Sequence, residues 1–228
     1  MRKNMKIAID GPAGAGKSTV SKAIAEKLGF IYVDTGALYR ALAHTCLENN
    51  VDIQKSYDFV KNFKVEIKRI DNQQKVFVED KDVTPFLRTA DISSAASKIS
   101  AIPEIRAFLL DLQRNIAENN NVVMDGRDIG TVILPDADIK IFLTANAEER
   151  ANRRFAELAG KTNCPSYASV LDDINKRDYD DIHRDIAPLK QAEDAILLDT
   201  TKLSQEDVIE KLFLICNGKR LELSEKEI

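Results

Sequence analysis

Hydrophobic positions along this chain alternate between short continuous runs and helical spacing. Lys6-Ile7-Ala8-Ile9-Asp10 is an apolar run suited to a buried parallel strand. After it, Val20, Ala23, Ile24 and Leu28 recur at helical spacing and build one apolar face. Phe30-Ile31-Tyr32-Val33-Asp34 predicts a second strand ending at Thr35-Gly36, followed by a helix carrying Leu38, Leu42 and Leu47 on one side. Residues 104–118 predict a helix with Ile105, Phe108, Leu109, Leu112 and Ile116 on one face. Three further strands are expected at residues 122–125, 139–143 and 195–199. The last helix should begin near Ser204, paired with Asp207 as in a capping box, and stop at Asn217-Gly218. Strands alternating with helices imply a parallel sheet covered on both faces. Ligands of such sheets gather at the carboxyl ends of strands, where Asp10, Asp34 and Asp125 are expected.

One stretch departs from this rhythm. Residues 63–70 and 75–79 show period-2 patterning around Asp71-Asn72-Gln73-Gln74, which predicts a hairpin. A hairpin does not belong to a βαβ repeat, so residues of about 60–88 are expected to form a small antiparallel insertion. The charged tail from Lys219 to Ile228 is expected to fray.

The chemistry begins between the first strand and the first helix. Gly11-Pro12-Ala13-Gly14-Ala15-Gly16-Lys17-Ser18 has the form G-x-x-x-x-G-K-[ST], in the strand-loop-helix context that this phosphate-binding loop requires. Its glycines let the backbone turn N–H groups inward, and the helix N-terminus adds positive dipole. Lys17 can reach the β- and γ-phosphates, and the Ser18 hydroxyl can ligate Mg²⁺. A bound nucleoside triphosphate is therefore expected.

Composition narrows the setting. The 228 residues are 44% hydrophobic and 31% charged, which suits one globular enzyme, and the net charge of −4 argues against a general nucleic-acid binder. Cys46, Cys164 and Cys216 lack metal-ligand spacing and are expected as small buried hydrophobes in a reducing compartment. Met1 to Asn4 lead straight into the first strand with no signal peptide, and no apolar run is long enough to span a bilayer. A cytoplasmic monomer is expected.

Two classes compete for the phosphate loop. Asn175-Lys176-Arg177-Asp178 matches the N-K-x-D string that reads guanine in GTPases, but it continues the helical rhythm of Val170, Leu171 and Ile174 rather than closing a strand. No glycine has an Asp three residues before it, so the D-x-x-G switch is missing as well. The stronger signal is arginine away from the loop. Arg40 and Arg127 lie just beyond predicted strand ends, Arg150, Arg153 and Arg154 are three and four residues apart on a helix, and Arg177 and Arg184 follow in a polar segment. Transfer between two nucleotides gathers several phosphates, which guanidinium forks neutralise and orient.

Taken together, the phosphate loop through Thr19, Asp34-Thr35-Gly36-Ala37-Leu38-Tyr39-Arg40, Asp125-Gly126-Arg127-Asp128-Ile129-Gly130-Thr131 and Arg177-Asp178…Arg184…Ala187-Pro188-Leu189 resemble the bacterial cytidylate kinases, from about Lys6 to Asn217. The resemblance implies a three-layer α/β/α P-loop fold with a parallel five-stranded sheet, a small antiparallel β insertion and a helical lid. The core would cover about 1–59, 89–145 and 191–218, the insertion about 60–88 and the lid about 146–190. It implies ATP and Mg²⁺ as donor and metal, with CMP and dCMP as acceptors. Residues 11–19 would hold ATP, and Lys17, Arg127, Arg150 and Arg154 would stabilise the moving phosphoryl group. Thr35, Arg40 and Arg127 would hold the acceptor phosphate, with Asp125 among the substrate-binding residues. Arg177 and Asp181 would contact the sugar, and Ser97, Arg106, Asp128 and Arg184 the cytosine. Another P-loop small-molecule kinase, or a non-catalytic ATP-binding regulator, remains open at this point.

Overall fold

The computed structural model describes residues 4–70, 73–160 and 164–225. The chain runs β1 (Lys6–Asp10), α1 (Lys17–Leu28), β2 (Ile31–Asp34), α2 (Thr35–Glu48) and α3 (Ser56–Val60). There follow β3 (Val65–Ile70), β4 (Gln73–Val78), β5 (Lys81–Asp82), α4 (Ala90–Ile99) and α5 (Pro103–Asn119). Last come β6 (Val122–Gly126), a π-helical turn over Ile129–Ile133, β7 (Ile139–Thr144), α6 (Ala147–Leu158), α7 (Tyr167–His183), β8 (Ile196–Asp199) and α8 (Gln205–Glu225). Two compact units result, one of residues 33–119 and one of the remaining segments.

The larger unit is built on a five-stranded sheet in the order β2-β6-β1-β7-β8, the order of an α/β fold. β1 is central and pairs in parallel with β6 and β7, and β7 pairs in parallel with β8. Ile7, Ala8 and Ile9 are fully buried, as the continuous apolar run predicts. Val20, Ile24 and Leu28 of α1 and Val208, Leu212 and Cys216 of α8 pack with Ile7, Ile9, Val123, Ile141 and Leu143 into one core. A second, small core joins Ala151 of α6 to Val170 and Ile174 of α7.

The smaller unit carries its own core. Leu38, Leu42 and Cys46 of α2 pack with Ile99, Ile105, Leu109, Val76 and Val78. The expected hairpin is present, with Val65 opposite Val78 and Ile67 opposite Val76; Asp71 and Asn72 of its turn lie outside the described residues.

Four expectations are corrected. Leu47 is exposed, because residues 38, 42 and 46 hold the buried stripe of α2 and Leu47 falls beside it. Asn217-Gly218 does not stop α8, which continues to Glu225. Glycine permits a left-handed stop without enforcing one, and Gly218 is not among the positive-φ residues. The frayed tail is thus helical through Glu225, and residues 226–228 lie outside the described residues. Cys164 is exposed, whereas Cys46 and Cys216 are buried thiols. No helix among the described residues is long and apolar enough to cross a membrane.

Candidate active site

In the larger unit, the sheet delivers Asp10 at the end of β1 directly into the phosphate loop. Gly11 has φ 149°, and a Cβ there would lie 1.9 Å from the Leu143 carbonyl oxygen, so only glycine lets the chain leave the sheet at this point. Gly16, at φ 84°, caps α1 and places Lys17 in its first turn. The Lys17 Nζ donates to the Pro12 carbonyl at 2.7 Å. Burial pushes its pKa down to about 7 with help from Arg127, against the opposing pull of Asp125, Asp181 and Asp10.

Beside it, the Ser18 hydroxyl donates to Asp125 Oδ2 at 2.8 Å, and the Tyr32 hydroxyl donates to Asp125 Oδ1 at 3.1 Å. A hydroxyl and a carboxylate so close are hard oxygen donors of the kind Mg²⁺ takes. Among the described residues, no three His, Cys, Asp or Glu side chains are grouped to hold a metal alone. Mg²⁺ usually keeps few protein ligands and shares itself with substrate phosphates, so the donor set fits.

The turn after β6 carries the next pair. Arg127 Nε donates to Asp181 Oδ2 at 2.7 Å. Burial works against both charges, yet each partner overrides it, so the Arg127 pKa is raised and that of Asp181 is held below its ordinary value. Arg177 and Arg184 also act on Asp181 through their charge. Arg184 Nη2 reaches Asp128 Oδ1 at 3.3 Å, with both side chains buried, and Arg184 Nε donates to the Ala187 carbonyl. The structure thus brings Arg127, Asp128, Asp181 and Arg184 into one network.

The three arginines of α6 diverge instead of sharing a target. Arg150 is buried and donates to the carbonyls of Ala145 and Ala13, each at 2.9 Å, while pairing with Asp178 at 2.6 Å. Its guanidinium is directed at the backbone of the phosphate loop. Gly14 makes room for this approach, since a Cβ there would stand 3.3 Å from Arg150 Cβ. Arg153 binds Glu149 and the hydroxyl and carbonyl of Thr200. Arg154 pairs with Glu157 on the surface.

In the smaller unit, Asp34 caps α2 by accepting from the Ala37 N–H at 3.0 Å and pairs with Arg40 Nη2 at 2.7 Å. A Cβ on Gly36 would stand 2.8 Å from Arg40 Nη1, so this glycine leaves space for the guanidinium. Thr35 is buried in the first turn of the same helix. The Gln74 side chain brackets the Asp34 backbone, accepting from its N–H and donating to its carbonyl. Ser97 and Arg106 meet at Ser100, whose hydroxyl donates to the Ser97 carbonyl and whose own carbonyl accepts from Arg106 Nη1. Arg106 also lies over the Tyr39 ring.

Sequence reasoning missed Asp178, Tyr32, Gln74 and Ser100 as supporting groups. Asp178 had a signal in the N-K-x-D string, which the helical context rightly removed from guanine recognition; the other three had none.

A sequence model of the cytidylate kinase family matches residues 7–217. The cytidylate kinase of Carboxydothermus hydrogenoformans is 51% identical over 218 residues, covering 94% of this chain and 98% of that protein. The cytidylate kinase of Caldicellulosiruptor bescii is 49% identical over 213 residues, covering 92% and 94%. Among solved structures, a shikimate kinase from Bacteroides thetaiotaomicron aligns with TM-score 0.50 at 14% identity, covering 93% of this chain and 98% of that one. A gluconokinase from Sinorhizobium meliloti 1021 aligns with TM-score 0.50 at 13% identity, covering 99% and 97%. These two likenesses concern the fold alone.

Proposed function

We propose, from the premise that this chain belongs to the cytidylate kinase family, that it transfers the terminal phosphoryl group of ATP to CMP and dCMP, yielding CDP and dCDP for pyrimidine nucleotide metabolism. One observation in the molecule carries the reading. The unit that holds the phosphate loop also holds two adjacent ion pairs, Arg127–Asp181 and Arg184–Asp128. Guanidinium groups suit an acceptor phosphate, and a fixed carboxylate suits the exocyclic amine of cytosine.

Residues 11–19 would cradle ATP through the loop amides, and Lys17 would offset charge on the transferred group. Mg²⁺, held by Ser18 and the phosphates, would neutralise their charge. Thr35, Arg40 and Arg127 are assigned the acceptor phosphate. Asp125, which accepts from the Ser18 hydroxyl, is assigned to the substrate phosphates. Arg177 and Asp181 are assigned the sugar, and Ser97, Arg106, Asp128 and Arg184 the base. Arg154, whose pairing with Glu157 is exposed, is the α6 arginine available to turn toward the phosphates. Residues 146–190 would close over the reaction and exclude water. A cytoplasmic monomer remains the proposed setting.

The test is ATP turnover with CMP, dCMP, UMP, AMP and dTMP, in parallel with sedimentation of the free protein. Preference for the two cytidylates is expected. Preference for another acceptor would move the assignment to a different kinase, and absence of turnover with all five would remove it.

A further inference from the structure

Asp10 closes β1 immediately ahead of the phosphate loop, and none of the roles above uses it. Ile7 and Ile9 show what the interior of this strand otherwise takes, and a carboxylate is costly there unless its bonds are made. Both oxygens are spent: Oδ1 accepts the Ile129 N–H at 2.8 Å and Oδ2 the Gly130 N–H at 2.7 Å. These are the first amides of the π-helical turn, groups that lack helical partners. Asp10 also pairs through its main chain with Gly126 in the β1–β6 ladder. One residue therefore anchors a loop at both ends, and between Gly126 and Ile129 stand only Arg127 and Asp128. Burial pushes the Asp10 carboxyl up to about 6 even though both amides lower it, so the charge is held at a cost.

We propose that Asp10 is a positioning residue, fixing the Gly126–Gly130 loop so that Arg127 and Asp128 are preset for the acceptor nucleotide. The inference rests on the acceptor role assigned to those two residues. The hydrogen bonds of Asp10 serve the loop after β6, while its charge also acts on Lys17 of the loop that starts at Gly11, so the acceptor role is read in the CMP KM.

Asp10→Asn keeps the shape but turns an amide donor toward one of the two N–H groups. Folding is checked by circular dichroism, and exchange of the Ile129 and Gly130 amides by NMR. The KM for CMP should rise roughly tenfold or more, with the ATP KM held within about twofold and the two amides exchanging faster. Unchanged CMP kinetics in a folded variant, or equal losses toward CMP and ATP, would overturn the proposal. If Asp10→Asn does not fold, Asp10→Glu decides, because one more methylene carries the carboxylate off the Ile129 and Gly130 amides. It should show the same one-sided loss, and its absence would overturn the proposal. Asp128→Asn, run alongside, reports on base reading through the CMP:UMP ratio. A null result there removes that assignment and leaves Asp10 to be judged on CMP against ATP.

Discussion

Arg150 and Asp178 close around a single residue of the phosphate loop. Arg150 donates to the Ala13 carbonyl at 2.9 Å, Asp178 accepts the Ala13 N–H at 3.3 Å, and the two side chains pair at 2.6 Å. α6 and α7 are thereby tied to the loop by charge as well as by the Ala151–Val170–Ile174 core. Asp178→Ala should cost about 3 kcal/mol by leaving the buried guanidinium unpaired, and should raise the ATP KM by freeing Ala13. Denaturant unfolding and ATP titration check both, and unchanged stability would show the clamp to be idle.

Lys17→Ala should leave the protein folded, because the lysine makes one bond within its own loop and contributes little to the core. Turnover should fall by roughly a hundredfold or more. Turnover within a few-fold of the parent would take Lys17 out of the chemistry.

Arg40→Ala and Arg127→Ala should each raise the CMP KM roughly tenfold or more while ATP binding changes little. Their stabilities should differ. Arg127 leaves behind a buried Asp181, whereas Arg40 leaves an Asp34 that still caps α2. Thermal melts should therefore show the larger loss for Arg127→Ala. Weakened ATP with CMP spared in both variants would reverse the division of roles.

Asp128 should set the preference for cytosine. Uracil replaces the exocyclic amine with a carbonyl, which would face a carboxylate held in place by Arg184. Unpaired buried acceptors of this kind can discriminate by several powers of ten. The parent should strongly prefer CMP over UMP in kcat/KM, and Asp128→Asn should narrow the gap chiefly by damaging CMP. An unchanged ratio would rule out this assignment.

Asp10 should leave a signature in the pH dependence of stability. Its folded pKa, about 6, lies above the ordinary 3.8, so the folded state holds the proton more tightly. The contribution is full below the unfolded value and declines as pH rises to about 6, by roughly 3 kcal/mol in all. Asp181, shifted the opposite way, loses its contribution as pH falls. The unfolding free energy of the parent minus that of Asp10→Asn should therefore decrease between pH 4 and 7.5. A difference flat across that range would contradict a carboxyl raised by burial.

Local patterning was enough for the strands of the parallel sheet, the phosphate loop and the hairpin, because each depends on neighbours in the chain. Apolar runs make Ile7–Ile9 and Val122–Met124 buried strands, Gly11 and Gly16 shape the loop, and period-2 alternation makes the hairpin pair in one register. The motifs also put Arg40 and Arg127 forward for the acceptor phosphate, since both stand beside strand ends where such folds bind ligands. Tertiary structure alone decided which charges pair. Asp178 and Ala13 are 165 residues apart, Asp10 and Gly130 are 120 apart, and no local spacing announces either bond. Helical spacing gave Arg150, Arg153 and Arg154 similar prospects, yet packing of α6 sends one to the loop, one to Thr200 and one to the surface. Local patterning selects elements through backbone preference and burial. The partner of a charge is set by where folding brings the elements together, which a linear pattern does not encode.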